Sequence, residues 1–194
     1  VIPPEDGGKI RTQNLLVRFG PDLRPVSCRP LVADYPQTSY PVDGLEDCRL
    51  RHTASGLGVS ATVRNVSPFD GACRIGIGTV DLEAATVTGL RVLDGLTTQE
   101  HEKNWMPIEG HGGWLYSCHH EGHVVTIDPD PAQPAGWLMA RRDASPPIAA
   151  MFRGGSQLIQ YRGGWLAVIH EVAYLNGRRA YEHRFAWFDE RLAL

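Results

Sequence analysis

Apolar residues in this chain come in short alternating runs rather than in the 3.6-residue rhythm of an amphipathic helix. LLVRF (15–19), GVSATVRN (58–65), RIGIGTV (74–80), WLYSC (114–118), HVVTI (123–127), WLAVIHEV (165–172) and RFAWF (184–188) are each five to eight residues long. They are rich in Val, Ile, Trp, Tyr and Phe, and Gly, Asp or Pro separates them, which is the pattern of short β-strands. The 21 glycines and 14 prolines sit largely between these runs. The pattern predicts an all-β protein.

The runs recur in the same order. One unit opens at GLEDCRL (44–50), continues through GLGVSATVRN (56–65) and closes with CRIGIGTVDL (73–82). A second opens at EKNWMPI (102–108), continues through GGWLYSCHH (112–120) and closes with HVVTIDPD (123–130). A third runs from RGGSQLIQY (153–161) through GGWLAVIHEV (163–172) to EHRFAWFDERL (182–192). Asp47, Lys103 and Arg153 mark these units at steps of 56 and 50 residues. Units of that length with three or four strands are those of β-propeller blades; a sandwich of unrelated short strands, the alternative, also gives regular turns but does not predict the matched order of the units. The leading segment IRTQNLLVRFGPDL (10–23) reads as the third strand of a fourth copy. The expectation is one propeller domain over 1–194 holding about three and a half blades, near 46–95, 102–145 and 153–194. Edges left open by a partial ring would be covered by further sequence or by a second copy of the chain.

In a blade the residues before strand one and those ending strand two share one rim. Asp47 and Arg64 are 17 residues apart, Lys103 and His119 are 16 apart, and Arg153 and His170 are 17 apart. The spacing therefore predicts hairpin mouths, charged or polar at both ends, around one pocket. Those mouths are acidic in the first unit (Glu46, Asp47), mixed in the second (Glu102, Lys103) and basic in the third (Arg153). Such groups suit a polyhydroxylated ligand, with a carboxylic acid available to protonate a leaving oxygen. Several cations together also suit phosphate. The bland alternative is salt bridging inside each hairpin, Asp47 with Arg49 for example.

Composition narrows the classes. Charged residues are 21% and hydrophobic ones 42%, an ordinary globular balance. A formal net charge of −3 offers no bulk attraction to nucleic acid or anionic membrane. No apolar run has the length of a spanning helix, and VIPPEDGGKI lacks a signal-peptide pattern. Cys28, Cys48, Cys73 and Cys118 form no CxxC pair, so buried thiols in a reduced, cytoplasmic protein are expected.

At GLEDCRL, EKNWMP, RGGSQL, HEV and YEHRF the chain resembles the five-bladed β-propeller glycosidase-like superfamily over 10–192. The likeness is nearest to glycoside hydrolase family 130, the β-mannoside phosphorylases and hydrolases, and to related propeller domains found with bacterial glycosyltransferases. The resemblance implies a glycoside in a central pocket and a reaction that cleaves or phosphorolyses a β-mannoside, with inorganic phosphate as co-substrate and no other cofactor. It implies that Asp47, beside Glu46 and Arg49, is the general acid. Lys103 and Arg153 would hold phosphate, with His170 or His183 as lesser candidates; Arg64, Glu102, Asn104 and Glu171, at the same strand ends, are further candidates for substrate binding. Cys48 stands where the family has proline after the acid. A hydrolase would need a second carboxylate, for which Glu102 and Glu171 are available. The alternative reading is a non-catalytic glycan-binding propeller working beside a glycosyltransferase domain.

Other constellations carry less. CHHEGH (118–123) has metal-ligand residue types; strand alternation puts His119 opposite Cys118 and His120, the Glu-Gly turn could still bring His123 to those two, and no metal is assigned. RGGSQ lacks both nucleotide-loop patterns, and neither Ser60 nor Ser156 has a nucleophile-elbow setting. Trp105, Trp114, Trp165 and Tyr181 lie near strand starts, where an aromatic ring could stack on a sugar, although Trp114 and Trp165 follow Gly-Gly and read as filler between blades. Arg178 and Arg179 read as a solvated hairpin tip.

Overall fold

The computed structural model describes residues 8, 10–35, 40–54, 56–66, 71–93, 101–129 and 137–194. Residues 94 and 95, which close the first expected blade, lie outside that set. The described chain is all-β apart from one 3-10 turn, Pro147–Met151. No helix in it is long and apolar enough to cross a membrane. It forms two compact units, 1–50 with 54–103 and 51–53 with 104–194.

The first unit carries β1 (Ile10–Arg11), β2 (Asn14–Phe19), β3 (Pro25–Ala33), β4 (Val42–Asp43), β5 (Glu46–Thr53, of which 51–53 belong to the second unit), β6 (Gly56–Val63), β7 (Arg74–Asp81) and β8 (Thr86–Leu93). Strands β5 to β8 are neighbours in chain order, a meander matching the first expected unit with a fourth strand added. Alternation along β6 sends Val59, Ala61 and Val63 into a core with Leu16, Leu45, Val80 and Val87.

The leading segment is not part of a separate copy. Strands β2 and β3 form an antiparallel hairpin, and β3 joins the outer edge of β8 in parallel at Val32↔Thr86 and Ala33↔Val87. The result is a six-stranded sheet in the order β2-β3-β8-β7-β6-β5. An open strand edge presents unpaired N–H and C=O groups, and here β3 covers the first two residues of β8. The Arg29 guanidinium fastens the join by donating to the carbonyls of Leu82 and Glu83 in the β7–β8 turn.

The second unit carries β9 (Met106–Pro107), β10 (Trp114–His120), β11 (His123–Pro129) and β12 (Trp137–Ala144), again a chain-order meander. Next come β13 (Arg153–Gly154) and β14 (Ile159–Tyr161), two pieces of one interrupted strand that both pair with β15 (Gly164–Leu175), followed by β16 (Arg178–Phe188). Ser156 spans the interruption: its N–H donates to the Val168 carbonyl at 2.9 Å and its hydroxyl accepts from the Val168 N–H at 2.8 Å. The hairpins turn on Glu121-Gly122, Arg162-Gly163 and Asn176-Gly177, where both central residues have positive φ. That is the geometry whose twist matches paired strands.

These two meanders pack on each other. Met106, Ile108, Leu115 and Val124 from one share a core with Leu158, Ala167, Ile169, Ala186 and Phe188 from the other. At their inner ends Ile108 and Leu158 form a parallel bridge. Leu158 N–H donates to the Pro107 carbonyl, and Glu109 N–H to the Leu158 carbonyl, each at 2.9 Å. Trp165 packs against the same core and its indole N–H reaches the Glu109 carbonyl at 3.4 Å, so its filler reading holds.

Candidate functional site

In the first unit the antiparallel order puts the start of β5, the end of β6 and the start of β7 at one end of the sheet. Glu46 opens β5, Arg64 follows β6, and their side chains form an ion pair at 3.7 Å, each about one-third exposed. The 17-residue logic that expects β5 head and β6 tail together is met here. Asp47 is exposed and takes a left-handed backbone, φ 53°. Strained backbone of this kind persists where its surroundings hold it and is concentrated at working sites.

Beneath it, Arg49 is buried and donates to the Asp47 carbonyl at 3.3 Å. Burial lowers its guanidinium pKa, and the Asp47 charge partly offsets that. Cys48 is pushed up to about 11, first by burial and then by the Asp47 carboxylate, so it is a neutral thiol at physiological pH. Glu102 is buried, and its N–H donates at 2.8 Å to the carbonyl of Cys73, which precedes β7. Glu102 therefore joins this end of the sheet, but as an interior group rather than the exposed rim carboxylate expected. Lys103 is exposed.

In the second unit the ladder sets Arg153 opposite His170 and His170 opposite His183. Directly paired residues project from the same face, so the three form a row across the third meander. His170 lies 6.1 Å from the His183 ring and 5.7 Å from the Tyr181 ring. Glu171 does not join them. Alternation turns it to the opposite face, where Arg184 binds it at 3.1 Å and also holds Glu182 at 3.1 Å.

Asn104 stands at the head of the second meander with φ 64°, the same left-handed backbone that Asp47 takes at the second position of β5. The structural counterpart of Asp47 is thus Asn104, one residue beyond the Lys103 chosen by sequence spacing. Gly154 lies against Asn104 so closely that a Cβ there would stand 1.9 Å from the Asn104 carbonyl oxygen. The EKN and RGG motifs meet at this point, and the glycine pair serves backbone contact: a Cβ on Gly155 would likewise stand 2.4 Å from the Val168 carbonyl oxygen.

The structure therefore gathers Glu46, Asp47, Arg49, Arg64 and Glu102 in one group, and Asn104, Arg153, His170 and His183 in another. Two aromatic candidates for stacking fall away. Trp105 and Trp114 are 1% exposed and pack on each other with ring centroids 6.3 Å apart. Arg51 covers Trp114 at 4.2 Å and donates to the Gly112 carbonyl at 2.8 Å. Tyr181 stays exposed. Among the described residues no group of three His, Cys, Asp or Glu side chains is placed to hold a metal ion. In the CHHEGH stretch, Cys118 is buried and His119 Nδ1 lies 3.2 Å from the Ser145 hydroxyl. Ser60 is buried in β6 and Ser156 is engaged with the backbone, so neither is placed as an exposed nucleophile.

The left-handed Asp47 and Asn104 escaped sequence reasoning in part. The available signal was residue type, since Asn and Asp are the side chains that best tolerate positive φ. Comparison with protein-family models and with curated proteins finds no match for this chain.

Proposed function

We propose that this chain is a β-propeller module of the five-bladed glycosidase type that cleaves or phosphorolyses a glycosidic bond, with a β-mannoside as substrate. The observation that supports it best is Asp47: an exposed carboxyl on left-handed backbone near the start of β5, flanked by a Glu46 already engaged by Arg64 and underlain by Arg49. An acid so placed protonates the departing glycosidic oxygen while a nucleophile attacks the anomeric carbon from the far side. With inorganic phosphate as that nucleophile, one protein carboxylic acid suffices and the products are a sugar 1-phosphate and a shortened acceptor. Glu171 is tied to Arg184, which leaves it poorly placed to activate water and favours phosphorolysis over hydrolysis.

The test is release of mannose 1-phosphate from β-manno-oligosaccharides, with and without phosphate. Asp47→Asn is expected to abolish turnover while changing stability by less than about 1 kcal/mol, because the side chain is exposed and Asn accepts the same backbone. Undiminished turnover in that variant removes Asp47 from the mechanism. A second reading, glycan binding without chemistry, is favoured by exposed Tyr181 beside His170, an aromatic surface flanked by hydrogen-bonding groups. Saturable oligosaccharide binding with no phosphate-dependent product selects it.

A further inference from the structure

The connection between β9 and β10 holds a conflict at one nitrogen atom. His111 Nδ1 accepts from the Gly113 N–H at 3.2 Å. The same Nδ1 stands 3.2 Å from Asp128 Oδ1 on β11. A ring nitrogen that accepts carries no proton, so the imidazole is the neutral Nε2–H tautomer and offers Asp128 nothing. Asp128 Oδ1 is buried and receives no hydrogen bond. Leaving a buried acceptor in that state is costly. A proton on Nδ1 reverses both contacts: Asp128 gains a charge-assisted donor, and the Gly113 N–H loses its acceptor.

The carboxylate is held where it is. Its Oδ2 lies 3.4 Å from Arg142 Nη2 on β12, and Arg142 Nε donates to the Thr126 hydroxyl at 2.9 Å. It also packs directly on the backbone of the turn, since a Cβ on Gly113 would collide with Asp128 Oδ1. The turn is fixed on either side. His111 N–H donates to the Ile108 carbonyl at 3.1 Å, Ile108 N–H donates to the Gly113 carbonyl at 3.2 Å, and the Glu109 carboxylate accepts from the Gln160 N–H at 2.9 Å.

Between these anchors lies a single peptide unit. The Gly113 N–H and the Gly112 carbonyl belong to the same plane. His111 holds its N–H end. Arg51 holds its carbonyl end, donating from Nη1 at 2.8 Å while its guanidinium covers the Trp114 ring at 4.2 Å. Glycine stands on both sides of this peptide, and nothing lies within 4 Å of a Cβ at Gly112. The unit is therefore free to rotate once one end is released.

We propose that the Gly112–Gly113 peptide is a latch worked by protonation of His111. Solvent supplies the proton to the half-exposed ring; the Gly113 N–H bond to Nδ1 breaks, an Nδ1–H bond to Asp128 Oδ1 forms, and the peptide turns, freeing Arg51 from the Gly112 carbonyl above Trp114. The charged groups around the ring are Asp128 from β11 and, behind it, Arg142 from β12; Arg51 from β5 meets the turn at Gly112, and Glu109 in the turn itself is engaged by Gln160.

The experiment follows the chain by heteronuclear NMR and amide hydrogen exchange across about pH 5 to 8, the range in which histidine side chains change charge. At the upper end the Gly113 amide is expected to be protected and the His111 ring to show the Nε2–H tautomer. At the lower end the Gly113 protection factor, corrected for intrinsic exchange, is expected to fall by about tenfold or more. The Nδ1 proton should then be visible, and the Trp114 ring signals should shift with the same midpoint. In His111→Gln neither Gly113 nor Trp114 should respond to pH. In Arg51→Met the Gly113 response should persist while the Trp114 response disappears, which separates the latch from its lever. Equal protection of Gly113 at both ends of the range, or a response that survives His111→Gln, would overturn the latch. A Trp114 shift unchanged by Arg51→Met would overturn its coupling to Arg51. None of these outcomes bears on sugar turnover, so this proposal and the preceding one fail independently.

Discussion

Replacing Gly154 with alanine tests the join between the second and third meanders. The added methyl would stand 1.9 Å from the Asn104 carbonyl oxygen and 2.9 Å from Met106 Cγ, whereas ordinary contact begins near 3.4 Å. Met106 can swing aside, but the Asn104 carbonyl is backbone, so β13 or the Asn104 turn must retreat by about 1.5 Å in an interior packed to crystalline density. Overpacking against an immobile neighbour costs about 3 kcal/mol, the upper end of the usual range. For a chain of this size that corresponds to a fall in Tm of about 6–12 °C. The melt can be followed by tryptophan fluorescence, because Trp105 and Trp114 are buried in the same unit. The same retreat pulls Arg153 from its place opposite His170, so any ligand of that row should bind more weakly as well. Gly112→Ala is the control: nothing lies within 4 Å of a Cβ there, and its Tm should match wild type. A Gly154→Ala protein as stable as the control would refute the close approach, and with it the account of why RGG follows EKN.

Three further outcomes follow from packing and burial. Leu158 is fully buried at the Ile108 bridge, so Leu158→Ala should cost about 2–5 kcal/mol in urea denaturation, without recovery by added ligand. Asn65 is 1% exposed, accepts from the Tyr35 hydroxyl at 2.8 Å and donates to Asp43 at 3.0 Å; Asn65→Ala should cost about 1–3 kcal/mol by the same assay. Burial raises Cys48 to about 11 and Cys118 to about 12 from a value of 9.0 in the unfolded chain. Both thiols stay neutral in the fold while the unfolded chain ionises. Stability should therefore fall as pH rises from about 9 to about 11, by about 1.4 kcal/mol per unit per thiol. Cys118→Ala should make the urea midpoint fall less steeply over that range.

Strand alternation and the Gly-containing turns made the all-β class and the three meanders readable from sequence, because Glu121-Gly122, Arg162-Gly163 and Asn176-Gly177 encode their hairpins locally. The pairings Glu46 with Arg64 and Arg153 with His170 were readable for the same reason, since hairpin length fixes which residues share an end. What escaped depended on contacts between distant segments. Nothing local in PVSCRPLVA says that it will lie parallel to Thr86–Leu93, and Gly89 breaks the alternation that would have marked β8 as a strand. The burial of Glu102 is set by its bond to Cys73, 29 residues earlier, and a glutamate beside a lysine reads as exposed until that partner is placed. Trp105 and Trp114 were ambiguous because an aromatic ring near a strand start serves a core or a sugar equally well.

The parallel seam between Val32 and Thr86 has a consequence for how the chain is made. The second unit is built from strands adjacent in sequence and can assemble in the order of synthesis, each hairpin closing as it emerges. The first unit cannot: its six-stranded sheet stays open until Thr86 and Val87 arrive more than fifty residues after Val32. During that wait the β2–β3 hairpin has no neighbour, and two strands alone are marginal in water. The first unit is therefore the slow step in maturation, although its residues leave the ribosome first.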